Sequence, residues 1–106
     1  MPDIQPHLAG DSSDFMEGAM VERLVNGREL ILVRRQGVLL CFLDQCSHQP
    51  VKLSEFGQVQ GGQLVCHAHG GVFDLDREGR VLCPPPKEGL TPFKVIERDG
   101  QVFVFI

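Results

Sequence analysis

No stretch of this sequence approaches the ~18 consecutive apolar residues that cross a bilayer, and residues 1–10 lack the basic-then-apolar build of a secretion signal. A soluble, cytoplasmic protein with no membrane partner is expected. A basic stripe is missing too: ten Lys plus Arg against fourteen Asp plus Glu leave a net charge of −4. With that balance spread over both halves, nothing neutralises a run of phosphates, and nucleic acid is a poor partner. No window of helical length carries a sustained i, i+3, i+4 apolar stripe, which argues against ordinary helices. There is no G-x-S-x-G elbow, no G-x-x-x-x-G-K-[ST] loop and no G-x-G-x-x-G after a strand, so hydrolase and nucleotide-binding chemistry find no anchor.

What is present reads as one domain over residues 1–106, a length that buries roughly 65% of the surface of the unfolded chain. Hydrophobic residues at 42% and charged residues at 23% are those of an ordinary globular protein. The turn dipeptides Asn26-Gly27, Gln36-Gly37, Gly61-Gly62, Glu78-Gly79 and Asp99-Gly100 punctuate apolar runs, a hairpin signal. Strands are expected at 19–25, 29–35, 38–43, 57–60, 63–66, 72–75, 80–83, 93–98 and 101–106. Continuous runs such as Leu30-Ile31-Leu32-Val33 suit strands covered on both faces. The fold class is all-β, built from antiparallel hairpins. Residues 1–18 are polar and Pro-interrupted, offering at most a short edge strand around 4–8, and are expected to form a loosely held arm.

Four cysteines stand at positions 41, 46, 66 and 83. In a reducing cytosol thiols or metal ligands are favoured over disulfides. Cys46-Ser47-His48 and Cys66-His67-Ala68-His69 each follow an apolar run, and each is trailed by backbone-permissive residues, Gln49-Pro50 and Gly70-Gly71. Both read as loops at strand ends. One thiolate and one imidazole per loop differs from the common zinc-finger grouping, in which two Cys share one turn and two His share a helix. A mixed pair per loop suits two metals, as where His₂ replaces Cys₂ on one iron of a 2Fe-2S centre. A structural zinc ion on the same Cys46, His48, Cys66 and His69 stays open as an alternative.

Three stretches resemble the soluble Rieske ferredoxins that serve aromatic ring-hydroxylating oxygenases. Residues 44–48 are similar to the first cluster loop of that family, residues 66–74 to the second, and Cys83-Pro84-Pro85-Pro86 to the proline loop that covers the cluster. The resemblance implies a Rieske fold of antiparallel sheets with an inserted cluster-binding subdomain at about 44–86. It implies that Cys46 and Cys66 bind one iron of a Rieske-type 2Fe-2S cluster, and that His48 and His69 bind the other through Nδ1. The function it implies is one-electron transfer from an NAD(P)H-dependent flavoprotein reductase to a terminal oxygenase, without catalysis by this chain. High-potential Rieske proteins use a Ser and a Tyr after the second loop and an extra Cys pair. Here the Ser position is Gly71 and there is no Tyr, which places the expected potential near the low end of the roughly −150 to +300 mV Rieske span. A small Rieske subunit of a nitrite reductase complex and a zinc-stabilised interaction module are the rival readings.

The remaining candidates have plain readings. Cys41 and Cys46 begin a C-x₄-C run, but Gln49 breaks the plant-type ferredoxin pattern, and Cys41 reads as a small core residue. Cys83 reads as a packed thiol, His67 as a rim residue that would touch a partner, and His7 as part of the arm.

Overall fold

Tight turns with positive φ organise the chain. Asn26-Gly27 (φ 50° and 77°), Gln36-Gly37 (53° and 80°) and Asp99-Gly100 (53° and 77°) each put two residues in the left-handed region. That geometry matches the twist of antiparallel strands and tolerates Asn, Asp and Gly best. The turns join β2 (Met20–Val25) to β3 (Arg28–Arg35), β3 to β4 (Val38–Leu43), and β10 (Val95–Arg98) to β11 (Gln101–Phe105). The computed structural model describes residues 4–45, 51–68, 70–83 and 88–106, with backbone alone at residue 83.

The strands form three antiparallel sheets. One runs β1 (Pro6–Asp11), β11, β10; the second β2, β3, β4, β9 (Pro92–Phe93); the third β5 (Gly57–Gln60), β6 (Gln63–Cys66), β7 (Gly71–Asp74), β8 (Arg80–Cys83). The only α-helical element among the described residues is one turn, α1 (Leu53–Phe56), between β4 and β5. The all-β expectation holds, and nearly every expected strand is present within a residue or two.

The second sheet is the shared middle layer. Leu30 and Leu32 of β3 face a core with Ala9, Phe15, Val25, Leu39, Cys41, Val102 and Val104. Ile31 and Val33 face the opposite way, into a core with Phe42, Leu53, Leu64, Cys66, Phe73, Leu75 and Leu90. Successive strand side chains point to opposite faces, so a strand between two cores must be apolar at every position, which explains the Leu30-Ile31-Leu32-Val33 run.

Two expectations need correction. The arm is not loosely held: five residues of β1 pair with β11 around a register shift at Ala9, and Ala9 and Phe15 are buried. Pro6 sits at the first position of an edge strand, where its missing N–H costs nothing. The expected strand 93–98 is two elements, because Cys41 and Phe42 of β4 pair with β9 whereas β10 pairs with β11. One run of chain is divided between two sheets.

Candidate metal centre

Of the four expected ligands, Cys66 lies within the described residues. Cys46, His48 and His69 lie outside them, as do Pro84, Pro85 and Pro86. The stems that carry those positions are defined.

Cys66 ends β6, paired with Gly57 on one side and Gly71 on the other, and is fully buried in the core shared with the middle sheet. Gly57 is required there: a Cβ at this position would lie 2.5 Å from the Leu53 carbonyl oxygen. Beyond Cys66 the chain reverses at once. The Gly70 N–H donates to the Cys66 carbonyl at 2.7 Å, and Gly70 has φ 76°, a conformation glycine adopts without steric cost. His69 lies within this Cys66–Gly70 stretch of the sequence and outside the described residues. His67 is exposed; its N–H donates to the Phe56 carbonyl at 2.8 Å, and its Nε2 donates to Gln58 Oε1 at 2.9 Å. The rim reading of His67 agrees with this exposure.

The other stem leaves β4 at Leu43. The Asp44 N–H donates to the Glu29 carbonyl at 2.9 Å, and the Gln45 N–H to the Leu43 carbonyl at 2.8 Å. Where the chain re-enters the described region, Val51 packs against the core that contains Cys66, and Leu53 is buried in it. The returning end of this loop therefore joins the core that holds Cys66, whereas Leu43 packs against the other core. Asp44 is buried, its carboxylate accepting from the Ser54 N–H at 2.8 Å and the Ser54 hydroxyl at 2.6 Å. Lys52 Nζ stands 3.1 Å from Glu22, 3.6 Å from Glu29 and 3.9 Å from Asp44. Its hydrogen bond to Glu22 raises the Lys52 pKa, and the same bond, helped by Ser54, lowers that of Glu22. No sequence signal marks the Asp44–Ser54 pair, since they stand ten positions apart with no fixed periodicity to connect them.

Cys41 is a buried thiol in the other core, and burial pushes its pKa up to about 12. Thiolate chemistry is suppressed there, in keeping with its reading as a core residue. Of Cys83 only the place at the end of β8 is described.

The donor set fits a mixed-ligand iron–sulfur centre. A cysteine sits at a buried strand end, where apolar neighbours shield it from water, and the chain directly after it is reversed by the Gly70-to-Cys66 hydrogen bond. The sequence supplies one thiol and one imidazole on each loop.

Comparison with known proteins agrees. The family profile of the Rieske [2Fe-2S] domain matches residues 5–103. The ferredoxin component of the naphthalene 1,2-dioxygenase system of Pseudomonas putida is 30% identical over 92 residues, covering 87% of this chain and 86% of that protein. The anthranilate 1,2-dioxygenase ferredoxin subunit of Burkholderia cepacia is 32% identical over 98 residues, covering 92% and 89%. The solved structure of the ferredoxin of carbazole 1,9a-dioxygenase from Nocardioides aromaticivorans IC177 superposes with a TM-score of 0.85 over 94% of this chain and 96% of that one. At 22% identity that likeness concerns the fold alone.

Proposed function

The chain belongs to the Rieske [2Fe-2S] domain family, whose cofactor is a Rieske-type 2Fe-2S cluster, and from that premise we propose that it is the ferredoxin component of a ring-hydroxylating dioxygenase system. It is an electron carrier rather than a catalytic oxygenase, like the relatives named above. Cys46 and Cys66 hold one iron as thiolates, and His48 and His69 hold the other through imidazole nitrogens. When bound, the cluster supplies a one-electron redox couple whose potential is raised by exchanging two thiolates for neutral imidazoles.

The chain's own residues supply shielding, orientation and an exit. Leu64, Phe73 and Leu53 pack with Cys66 in a core that excludes water from its side of the centre, and such a shell tunes both dielectric and potential. The Gly70-to-Cys66 hydrogen bond reverses the chain directly after Cys66. His48 and His69 form the exit towards a docked acceptor, with exposed His67 on the rim. Electrons arrive from an NAD(P)H-dependent flavoprotein reductase and leave to a terminal oxygenase. Each contact is transient and small, below about 1,200 Å².

The observation that carries this reading is the buried Cys66 at the mouth of its glycine-closed turn, within a C-x-x-H loop matched by a C-x-H loop. Optical and EPR spectra before and after dithionite, with iron and acid-labile sulfide assays, test it. Equal iron and sulfide and a Rieske signal on reduction are expected, lost in His48→Ala and His69→Ala. A colourless protein holding zinc would overturn the reading. Electron delivery is tested with a flavoprotein reductase, NADH and a ring-hydroxylating oxygenase, where omission of this protein should stop turnover.

A further inference from the structure

Among the described residues Asp44 is the one buried charged side chain, and the cation paired with it, Lys52, stands 3.9 Å away. A buried carboxylate is costly, and an apolar residue of similar volume often serves stability as well. Here its cost is offset by two short bonds to a single residue: the Ser54 N–H at 2.8 Å on Oδ1 and the Ser54 hydroxyl at 2.6 Å on Oδ2. Ser54 lies in α1. The other end of this single helical turn reaches the second loop, where the Phe56 carbonyl accepts from the His67 N–H at 2.8 Å. Asp44 is two residues before Cys46, and His67 is adjacent to Cys66 and two residues before His69.

We propose that Asp44, Ser54 and the α1 turn form a strut that sets the distance between the two cluster loops, with Asp44 and Ser54 as positioning residues for the centre. The proposal rests on the reading of those loops as the cluster's ligand loops. The clasp joins the two ends of the first loop, Asp44 before it and Ser54 after it. Its base is in turn tied to the middle sheet: the Asp44 N–H bonds to Glu29 of β3, Lys52 reaches Glu22 of β2, and the Ser54 hydroxyl lies 3.2 Å from Glu22 Oε2. Movement at Ser54 is transmitted through one turn of backbone to the amide that follows Cys66. The ligand loops are coupled through hydrogen bonds that involve no ligand.

The test uses the full chain and compares Asp44→Ala, Ser54→Ala and Ser54→Thr with wild type. A control, Val25→Ala, is placed in the opposite core. Cluster loss in excess chelator is followed by absorbance, and amide hydrogen exchange is followed at His67. Loss of a buried hydrogen bond to a charged group predicts cluster release and His67 exchange each about tenfold faster in Asp44→Ala and Ser54→Ala. Ser54→Thr, which keeps the hydroxyl, should restore both to within about threefold of wild type, and the EPR line shape should broaden only in the two alanine variants. Val25→Ala should lower the unfolding midpoint and leave both rates unchanged. Unchanged release and unchanged His67 exchange in Ser54→Ala would overturn the strut, as would Val25→Ala speeding both rates as much as Ser54→Ala. If Asp44→Ala fails to fold, the Ser54 pair decides alone. If wild type carries no iron and sulfide, the cluster reading fails instead, and His67 exchange in Ser54→Ala still reads the strut.

Discussion

Replacing Arg34 with Ala should destabilise the protein by about 3 kcal/mol, because one guanidinium holds three separate segments together. Nε donates to the Phe15 carbonyl at 2.7 Å, Nη1 to the Gly37 carbonyl at 3.0 Å, and Nη2 to the Ser12 carbonyl at 3.3 Å. Nη1 and Nη2 also grip the Glu97 carboxylate at 2.9 Å each. The arm before β2, the β3–β4 turn and β10 thus meet on one planar group, a geometry that lysine cannot reproduce. The Arg34 side chain is 15% exposed and Glu97 31%, so the ion pair is partly screened and contributes about 1 kcal/mol after discounting. The short bond to Phe15, from a charged and shielded donor, contributes about 1.5 kcal/mol, and the two longer bonds, whose acceptors can turn to water, a few tenths each. Urea unfolding of the cluster-loaded protein, followed by circular dichroism, measures the total. A double-mutant cycle with Glu97→Ala isolates the pair. Arg34 touches neither ligand-loop stem, so iron content should be unchanged in the folded variant. A total loss below about 1 kcal/mol, or a coupling energy indistinguishable from zero, would refute the hub.

Acid should weaken the fold: Glu97 is held below its ordinary 4.5 first by the Arg34 hydrogen bond, Glu17 by the Gly37 and Gln36 amides, and Glu22 by Lys52. A lowered folded pKa gives stability that is complete above the unfolded value and lost as pH falls through the folded one. The urea midpoint should therefore be level above about pH 5 and drop below about pH 4.5, and a midpoint that rises on acidification would contradict these assignments. Gly79→Ala should cost about 3 kcal/mol and Gly27→Ala about 1 kcal/mol in the same unfolding assay, since both have near-equal φ, 79° and 77°, and both incur left-handed strain. Only at Gly79 would the new Cβ meet Leu90 Cβ at 2.7 Å and Phe42 at 3.1 Å, adding an overpacking cost, so equal losses would show that the neighbours yield. Redox titration should place the reduction potential near the low end of the Rieske span, about −150 mV, because Gly71 stands where high-potential members carry Ser and the chain has no Tyr. A value well above zero would overturn that expectation.

The strands were legible because their turns are local. Asn26-Gly27, Gln36-Gly37 and Asp99-Gly100 declare their φ preferences within two residues, and the strands flanking them lie where the apolar runs end. β1 was legible only in part: a short edge strand around 4–8 was open to a Pro-interrupted segment, but its extent to Asp11 and its firm hold come from pairing with β11, almost the whole chain away. α1, at four residues, is shorter than any periodicity can register. The break at Lys94 follows from which sheet each half joins.

At the centre the division is similar. Residue types and short spacings, Cys46-Ser47-His48 and Cys66-His67-Ala68-His69, are properties of adjacent positions, and the proposed mixed thiolate and imidazole donor set is read from them. Ligand chemistry belongs to side chains, and the turn that presents it belongs to a glycine next door. The burial of Asp44, its clasp on Ser54, and the bond from Phe56 to His67 join residues ten or eleven positions apart. Such contacts exist only once the middle sheet and the small four-stranded sheet share a core, because only then are a buried carboxylate and its donors brought within hydrogen-bonding distance.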